Sequence, residues 1–113
     1  MQLIDKNIAL VELIPMAKKM FGNLVKATVD SEKEIMVIDA QLHADQELFL
    51  LEQGSQQKNL WGINLHPTAL YENFIEFDSM INLRPSFGNC SRGIDDPIMQ
   101  ERVKLIVNRL VIR

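Results

Sequence analysis

The sequence feature that most constrains the fold is a run of alternating side chains in residues 74–84. One set of alternate positions holds Ile75, Phe77, Ser79, Ile81 and Leu83, and the other holds Phe74, Glu76, Asp78, Met80, Asn82 and Arg84. Because successive side chains of a β-strand point to opposite faces, this period of two predicts a long strand with one apolar and one mainly polar face. Such a strand is typical of an antiparallel sheet that is packed on one face and at least partly hydrated on the other.

The other elements follow from hydrophobic spacing and from turn residues. Helical spacing predicts three helices, over residues 8–21, 43–53 and 96–110. Runs rich in β-branched residues predict two hairpins, formed by residues 24–30 with 35–41 and by residues 59–66 with 73–84. The order α-β-β-α-β-β-α predicts a single α+β domain over residues 1–113, with a four-stranded antiparallel sheet and helices packed on one face.

The third helix has the clearest start. Asp96 is a favoured N-cap residue, and Pro97 suits the first helical position because a backbone N–H would lack a partner there in any case. In the first helix, by contrast, Pro15 removes a backbone donor beyond the first turn. The first helix is therefore expected to start late or to kink.

Composition narrows the class of protein. A chain of 113 residues with 47% hydrophobic and 24% charged side chains has the make-up of one soluble globular domain. Its net charge is −3 and its longest basic cluster is Lys18-Lys19, so duplex nucleic acid is not an expected partner. A single cysteine, no leader-like start and no long apolar run predict a cytoplasmic protein that does not enter a membrane.

Residues 84–97, RPSFGNCSRGIDDP, form a polar segment that suggests an anion site. The candidate anion ligands are Arg84 and Arg92, and the residues expected to orient the anion are Asn82, Ser86 and Asn89. Two arginines at one strand end can clamp a carboxylate or a phosphate, with hydroxyl, amide and backbone donors around it. This arrangement predicts a binding site for an anionic small molecule.

The same segment also fits a simpler role as a connector. Asp95 and Asp96 already place negative charge at the start of the third helix, where they would repel a phosphate. In this interpretation Arg92 pairs with one of the two aspartates, and the glycines supply turns. The sequence leaves both interpretations open.

Two carboxylates on the polar face of the long strand suggest an enzymatic alternative. Glu76 and Asp78 lie two residues apart, so their Cα atoms are expected about 6.5 Å from each other on one side of the strand. One of them can serve as general base or metal ligand, with Arg84 stabilising developing negative charge and His66 or His43 assisting. Charged residues are also expected on any hydrated strand face, so the pair can equally be structural.

The chain offers no strong metal signature. His43 and Asp45 are the nearest approach to a metal-binding pair, but two histidines without cysteine or an H-E-x-x-H motif do not make a zinc site. No metal and no cofactor are therefore predicted. Trp61 can in principle offer a stacking platform, but its register with Ile63 and Leu65 favours packing in the core.

A resemblance to a known family is carried by two segments. They are residues 43–64, HADQELFLLEQGSQQKNLWGIN, and residues 74–97, FIEFDSMINLRPSFGNCSRGIDDP. Together they resemble a family of short prokaryotic proteins catalogued only as a domain of unknown function. The resemblance spans most of the chain and implies a stand-alone cytoplasmic protein, and it carries over no activity and no catalytic residue. Ala9 and Pro15 depart from the pattern of the relatives in the first helix.

Three functional hypotheses follow. The leading one is a small binding protein for an anionic small molecule or for an acidic group of a partner. The second is a small hydrolase-like enzyme that uses the carboxylates of Glu76 and Asp78. The third is a structural or oligomerisation protein, in which an exposed strand edge or helix stripe pairs with another chain, for instance in a homodimer.

Overall fold

The computed structural model describes all 113 residues, from Met1 to Arg113. The three helices are α1 (Leu10–Met20), α2 (His43–Glu52) and α3 (Pro97–Leu110). The seven strands are β1 (Gln2–Ile4), β2 (Ile8–Ala9), β3 (Val25–Asp30), β4 (Ile35–Ile38), β5 (Leu60–Leu65), β6 (Ile75–Glu76) and β7 (Val111–Ile112). None of the helices has the length and apolar character that crossing a membrane requires.

The main sheet is antiparallel and has five strands in the order β1-β4-β3-β5-β6. The predicted α+β class and antiparallel sheet are confirmed, but the predicted strand count of four is too low. The additional strand is β1, which pairs with β4 so that Leu3 lies opposite Val37. A strand of three residues is too short to show a period of two, and this explains why the sequence did not reveal it. β2 and β7 form a separate parallel pair.

The prediction of a long strand over residues 73–84 is mostly wrong. β6 ends at Glu76 and pairs with β5 over two residues only, and the chain then enters two 3-10 turns, Met80–Asn82 and Pro85–Phe87. Ser79 packs directly onto β5, where a Cβ atom on Gly62 would lie 2.5 Å from the Ser79 Oγ. Burial in this segment does not follow the alternation, because Phe74, Ser79, Asn82 and Arg84 are buried, and the missing side chain at Gly62 makes room for Ser79.

Helices cover both faces of the sheet, which corrects the prediction that they pack on one face. The large core cluster joins α1 and α3 to alternate residues of β3, such as Val25 and Val29. On the opposite face Thr28 donates its hydroxyl proton to Gln46 of α2 at 2.9 Å. A small second cluster completes this face and consists of Val37, Leu50 and Leu60. Apolar side chains on both faces of the sheet thus create two layers of helix.

The main core contains 19 buried residues. Trp61, Ile63 and Leu65 lie within it, as their register predicts. The contribution of α3 to the core consists of Val103, Ile106, Val107 and Leu110. Fully burying a side chain of this kind contributes roughly 1.5–3 kcal/mol, so the apolar stripe of α3 is a principal source of stability.

The helix starts agree with their local chemistry. Asp96 accepts a hydrogen bond from the Ile98 N–H at 2.9 Å, and Pro97 is the first residue of α3, as predicted. α1 starts at Leu10, two residues later than predicted, and continues through Pro15. Its first turn is closed by Glu12, whose carboxylate accepts a hydrogen bond from the Ala9 N–H at 2.9 Å.

Candidate functional site

A cleft of about 470 Å³ lies on the sheet face that carries α2. We call it the α2–β6 cleft, and its polar lining consists of Lys26, His43, Asn64, Glu76, Asp78, Ser79 and Arg92. The apolar side chains at its edge include Phe21, Leu24, Leu42 and Met80. A concave volume of this size with a few convergent polar groups is typical of small-molecule sites.

The floor of the cleft is set by strand register. Lys26 of β3 lies opposite Asn64 of β5, and Asn64 in turn lies opposite Glu76 of β6. Residues directly opposite each other in adjacent antiparallel strands project on the same face of the sheet. The sheet therefore aligns a cation, an amide and a carboxylate in one row.

Asn64 is the buried centre of this row, with 7% of its surface exposed. Its Nδ2 donates to Glu76 Oε1 at 3.0 Å and to the Asp78 backbone oxygen at 3.3 Å. Both partners are acceptors, which fixes the orientation of the amide. Its Oδ1 has no hydrogen-bond partner. A buried acceptor without a donor is uncommon and costly in a folded protein, and here it lines a cleft.

Glu76 is held in its ionised form. The hydrogen bond from His66 Nε2, at 3.1 Å, lowers the pKa of Glu76, and the bond from Asn64 lowers it further. His66 itself lies outside the α2–β6 cleft, in a shallower cleft that Glu76 also lines. Glu76 is therefore a stable negative charge at the edge of the α2–β6 cleft.

Two cations face the same cleft with donors to spare. Lys26 Nζ lies 5.1 Å from the centroid of the Phe21 ring and makes no hydrogen bond within the protein. Arg92 donates from Nε to Asp78 Oδ1 at 2.6 Å, and its two terminal nitrogens make no hydrogen bond within the protein. The predicted pairing of Arg92 with Asp95 or Asp96 is wrong, because Arg92 reaches back to Asp78.

His43 is the first residue of α2 and is buried. Its Nε2 lies 2.7 Å from the Ile63 backbone oxygen, and because a carbonyl oxygen only accepts, Nε2 carries the proton. Burial lowers the pKa of His43, so the ring is neutral near pH 7. In this tautomer Nδ1 is an acceptor, and it has no partner within the protein.

The N-terminus of α2 also opens beside the cleft. Leu42 occupies the N-cap position and offers no side-chain acceptor. The backbone N–H groups of His43 and Ala44 consequently make no hydrogen bond within the protein. Unpaired N–H groups and the helix dipole together favour a negative group at such a terminus.

Arg84 lies in a different cleft, of about 300 Å³, which we call the Trp61 cleft. Its guanidinium lies 4.5 Å above the Trp61 ring and donates to the backbone oxygens of Gln57 and Leu60, the latter at 2.8 Å. The side chain is buried, and burial lowers its pKa. The structure therefore does not bring Arg84 and Arg92 together into the clamp that the sequence suggests.

The two asparagines of the predicted anion loop form their side-chain hydrogen bonds within the chain. Asn89 donates to the backbone oxygens of Asn82 at 2.7 Å and of Gly93 at 2.9 Å, and its Oδ1 accepts from the Asp95 N–H at 2.8 Å. Asn82 is fully buried and also bonds to backbone groups. Ser86 is exposed and makes no side-chain hydrogen bond. The segment is thus held together largely by its own asparagines.

The predicted metal candidates do not come together. His43 is buried against Ile63, whereas Asp45 is exposed on α2. No group of three or more His, Cys, Asp or Glu side chains is arranged to hold a metal ion.

Sequence reasoning missed Lys26 and Asn64. Both are polar residues that lie between apolar neighbours in the strand segments LVKATVD and NLWGINL, and this placement is the only sequence signal for them. It became meaningful only with the register that places the two residues opposite each other. Of the sequence candidates, Glu76, Asp78, Arg92 and His43 do line the α2–β6 cleft.

These features define a class of small α+β protein, in which an antiparallel sheet lies between two layers of helix and carries a polar cleft beside α2. The chain belongs to the family described as protein of unknown function (DUF5674), whose model matches residues 2–110. Membership confirms the resemblance carried by residues 43–64 and 74–97. No curated protein and no solved structure matches the chain.

Proposed function

We propose that this protein binds a small molecule through an anionic group in the α2–β6 cleft. The observation that carries the proposal is the convergence of unpaired donors on one cavity: Lys26 Nζ, the terminal nitrogens of Arg92 and the open N-terminus of α2. Arginine presents a planar fork that matches a carboxylate or phosphate, and a helix N-terminus adds aligned N–H groups.

The single cysteine, Cys90, is an exposed free thiol, which supports action in the reducing cytoplasm.

A thermal-shift screen with a matched pair of variants tests the proposal. The probes are acetate, 4-methylpentanoate, citrate and inorganic phosphate at millimolar concentration. Lys26→Gln with Arg92→Gln removes the two cleft cations, and Lys18→Gln with Lys19→Gln removes two exposed cations of α1. We expect at least one probe to raise the Tm of the natural chain and of the α1 double variant but not that of the cleft double variant. Equal shifts in both double variants, or no shift with any probe, would contradict binding in the cleft.

A second candidate function is a hydrolase-like enzyme, and the tautomer of His43 favours it. The Ile63 carbonyl fixes the proton on Nε2 and leaves Nδ1 able to accept a proton at neutral pH. Glu76 suits the role of base less well, because its lowered pKa makes it a weaker proton acceptor. A screen of p-nitrophenyl esters and phosphates with the natural chain and with His43→Asn tests this candidate. Turnover that disappears in the variant supports it, and equal background rates exclude these substrates.

A further inference from the structure

We infer that the ligand of the α2–β6 cleft is a zwitterion with an apolar tail, which is the chemistry of a free apolar α-amino acid. This inference rests on the proposed function and specifies its ligand. It depends on three properties of the cleft: its charge balance, its unpaired acceptors and its exposed apolar edge.

The charges that line the cleft cancel. Lys26 and Arg92 contribute two positive charges, Glu76 and Asp78 contribute two negative charges, and His43 is neutral near pH 7. A simple anion would leave an excess negative charge in a partly desolvated cavity. A ligand that carries both a carboxylate and an ammonium group preserves the balance.

Unpaired acceptors provide places for the ammonium group. Asn64 Oδ1 is buried without a donor. Glu76 and Asp78 each engage only one carboxylate oxygen in side-chain hydrogen bonds and leave the other without a partner. An ammonium group has three N–H donors and no acceptor, and it therefore complements a set of oxygens of this kind.

One donor, Lys26, lies across the sheet from these acceptors. Lys26 and Glu76 are separated by one intervening strand, so their Cα atoms are about 10 Å apart, with Asn64 between them. The open N-terminus of α2 adds donors for a carboxylate, and Arg92, which pairs with Asp78, adds its two terminal nitrogens. The row of cation, amide and carboxylate gives the cleft one end for each charge of a zwitterion.

Apolar side chains at the edge are suited to an aliphatic or thioether tail. Phe21 is 40% exposed, Leu42 is 54% exposed and Met80 is 62% exposed, and all three line the cleft. Covering such surface with an apolar tail stabilises a complex roughly in proportion to the apolar area removed from water. A purely polar zwitterion such as glycine would leave these side chains exposed.

Isothermal titration calorimetry with three matched probes tests the inference. Leucine carries both charges, 4-methylpentanoate lacks the ammonium group and 3-methylbutylamine lacks the carboxylate. We expect leucine to bind at least about tenfold more tightly than either analogue. Methionine and phenylalanine serve as further apolar amino acids, and glycine serves as the probe without a tail.

Two conservative variants separate the ends of the cleft. Lys26→Gln is expected to weaken the binding of leucine and of 4-methylpentanoate and to leave the affinity for 3-methylbutylamine unchanged. Glu76→Gln is expected to weaken the binding of leucine and of 3-methylbutylamine and to leave the affinity for 4-methylpentanoate unchanged. If 4-methylpentanoate binds as tightly as leucine, the inference of a zwitterionic ligand is wrong, but the proposed function of anion binding is retained. If no amino acid binds while another anion does, the inference is likewise wrong and the proposed function is retained. If no probe of the thermal-shift screen or of the calorimetry binds, both the inference and the proposed function are wrong.

Discussion

Asn82 pairs its side-chain amide with both backbone groups of Gly62. The Gly62 N–H donates to Asn82 Oδ1 at 2.8 Å, and Asn82 Nδ2 donates to the Gly62 oxygen at 2.9 Å. One side chain thus forms the two hydrogen bonds that a neighbouring strand residue would form. This pairing explains how the backbone groups of Gly62 in β5 find hydrogen-bond partners beyond the two residues of β6, although residues 77–84 do not continue the sheet.

Replacing Asn82 with alanine should destabilise the protein strongly. The change removes three hydrogen bonds and leaves both backbone groups of Gly62 without their partner, whereas the Arg92 oxygen keeps its bond from the Ser79 N–H. We expect the free energy of unfolding to fall by about 3 kcal/mol in urea titrations. Asn73→Ala, at an exposed asparagine, is the control and should change it by no more than about 0.5 kcal/mol. A loss of under about 1 kcal/mol for Asn82→Ala would contradict this role.

Gly62→Ala should destabilise the protein chiefly through Ser79, with Ile81 Cγ1 as a second, less crowded neighbour at 3.1 Å. The added Cβ would lie 2.5 Å from Ser79 Oγ and 2.6 Å from Ser79 Cβ, which is too close for either atom. Overpacking of this kind costs about 1–3 kcal/mol. Ser79→Gly should recover part of that loss in the double variant, with a coupling energy of at least about 1 kcal/mol. Additive losses would mean that the strain arises elsewhere.

Stability should depend on pH through His43 between neutral and mildly acidic conditions. Burial lowers the pKa of His43 below the ordinary value of 6.5, so the unfolded chain binds a proton that the folded chain does not. Stability is therefore full above pH 6.5 and falls as the pH drops toward the folded pKa, by at most about 1.4 kcal/mol per pH unit. The groups that act on the ring are the Ile63 oxygen, Lys26, Asp78 and Arg92.

Urea midpoints measured over this pH range provide the check. The dependence should weaken in His43→Asn and persist in His66→Gln, which removes the other histidine of the chain. A slope that survives in His43→Asn would assign the dependence to another group.

Arg84 and Arg92 should have separable effects. Arg84→Gln loses the contacts to the Gln57 and Leu60 oxygens and should lower the free energy of unfolding by about 2 kcal/mol. It should also alter the fluorescence of Trp61, the single tryptophan, without changing the affinity of probes for the α2–β6 cleft. Arg92→Gln should lower the affinity of probes for the α2–β6 cleft and should leave the free energy of unfolding and the Trp61 fluorescence nearly unchanged. Loss of probe binding in Arg84→Gln, measured while the chain is still folded, would contradict the separation of the two clefts.

The sequence predicted most elements where local chemistry decides the structure. The capped start of α3 at Asp96 and the two strands β3 and β4 follow from residues close in the chain. β1 escaped prediction because its three residues gain their structure only from pairing with β4. The end of β6 escaped prediction because the missing Cβ at Gly62 and the amide of Asn82 act from a distance of about 20 residues.

The candidate site was predictable in part for the same reason. The polar face of the predicted long strand included Glu76 and Asp78, and both line the cleft. Arg84 and Arg92 are eight positions apart, and the sequence could not show that the chain between them directs their guanidinium groups into different clefts. Asn64 was unremarked because its unpaired oxygen is a property of the folded structure.

The most direct test of small-molecule binding in the α2–β6 cleft is a ¹H–¹⁵N correlation spectrum of the natural chain titrated with leucine. The result we predict is a saturable shift of the backbone amide of Ala44 and of the side-chain amide of Asn64, with little change at Gly88 and Asn89 beside Arg84. Shifts confined to Gly88 and Asn89 would place binding in the Trp61 cleft and would contradict the proposed site.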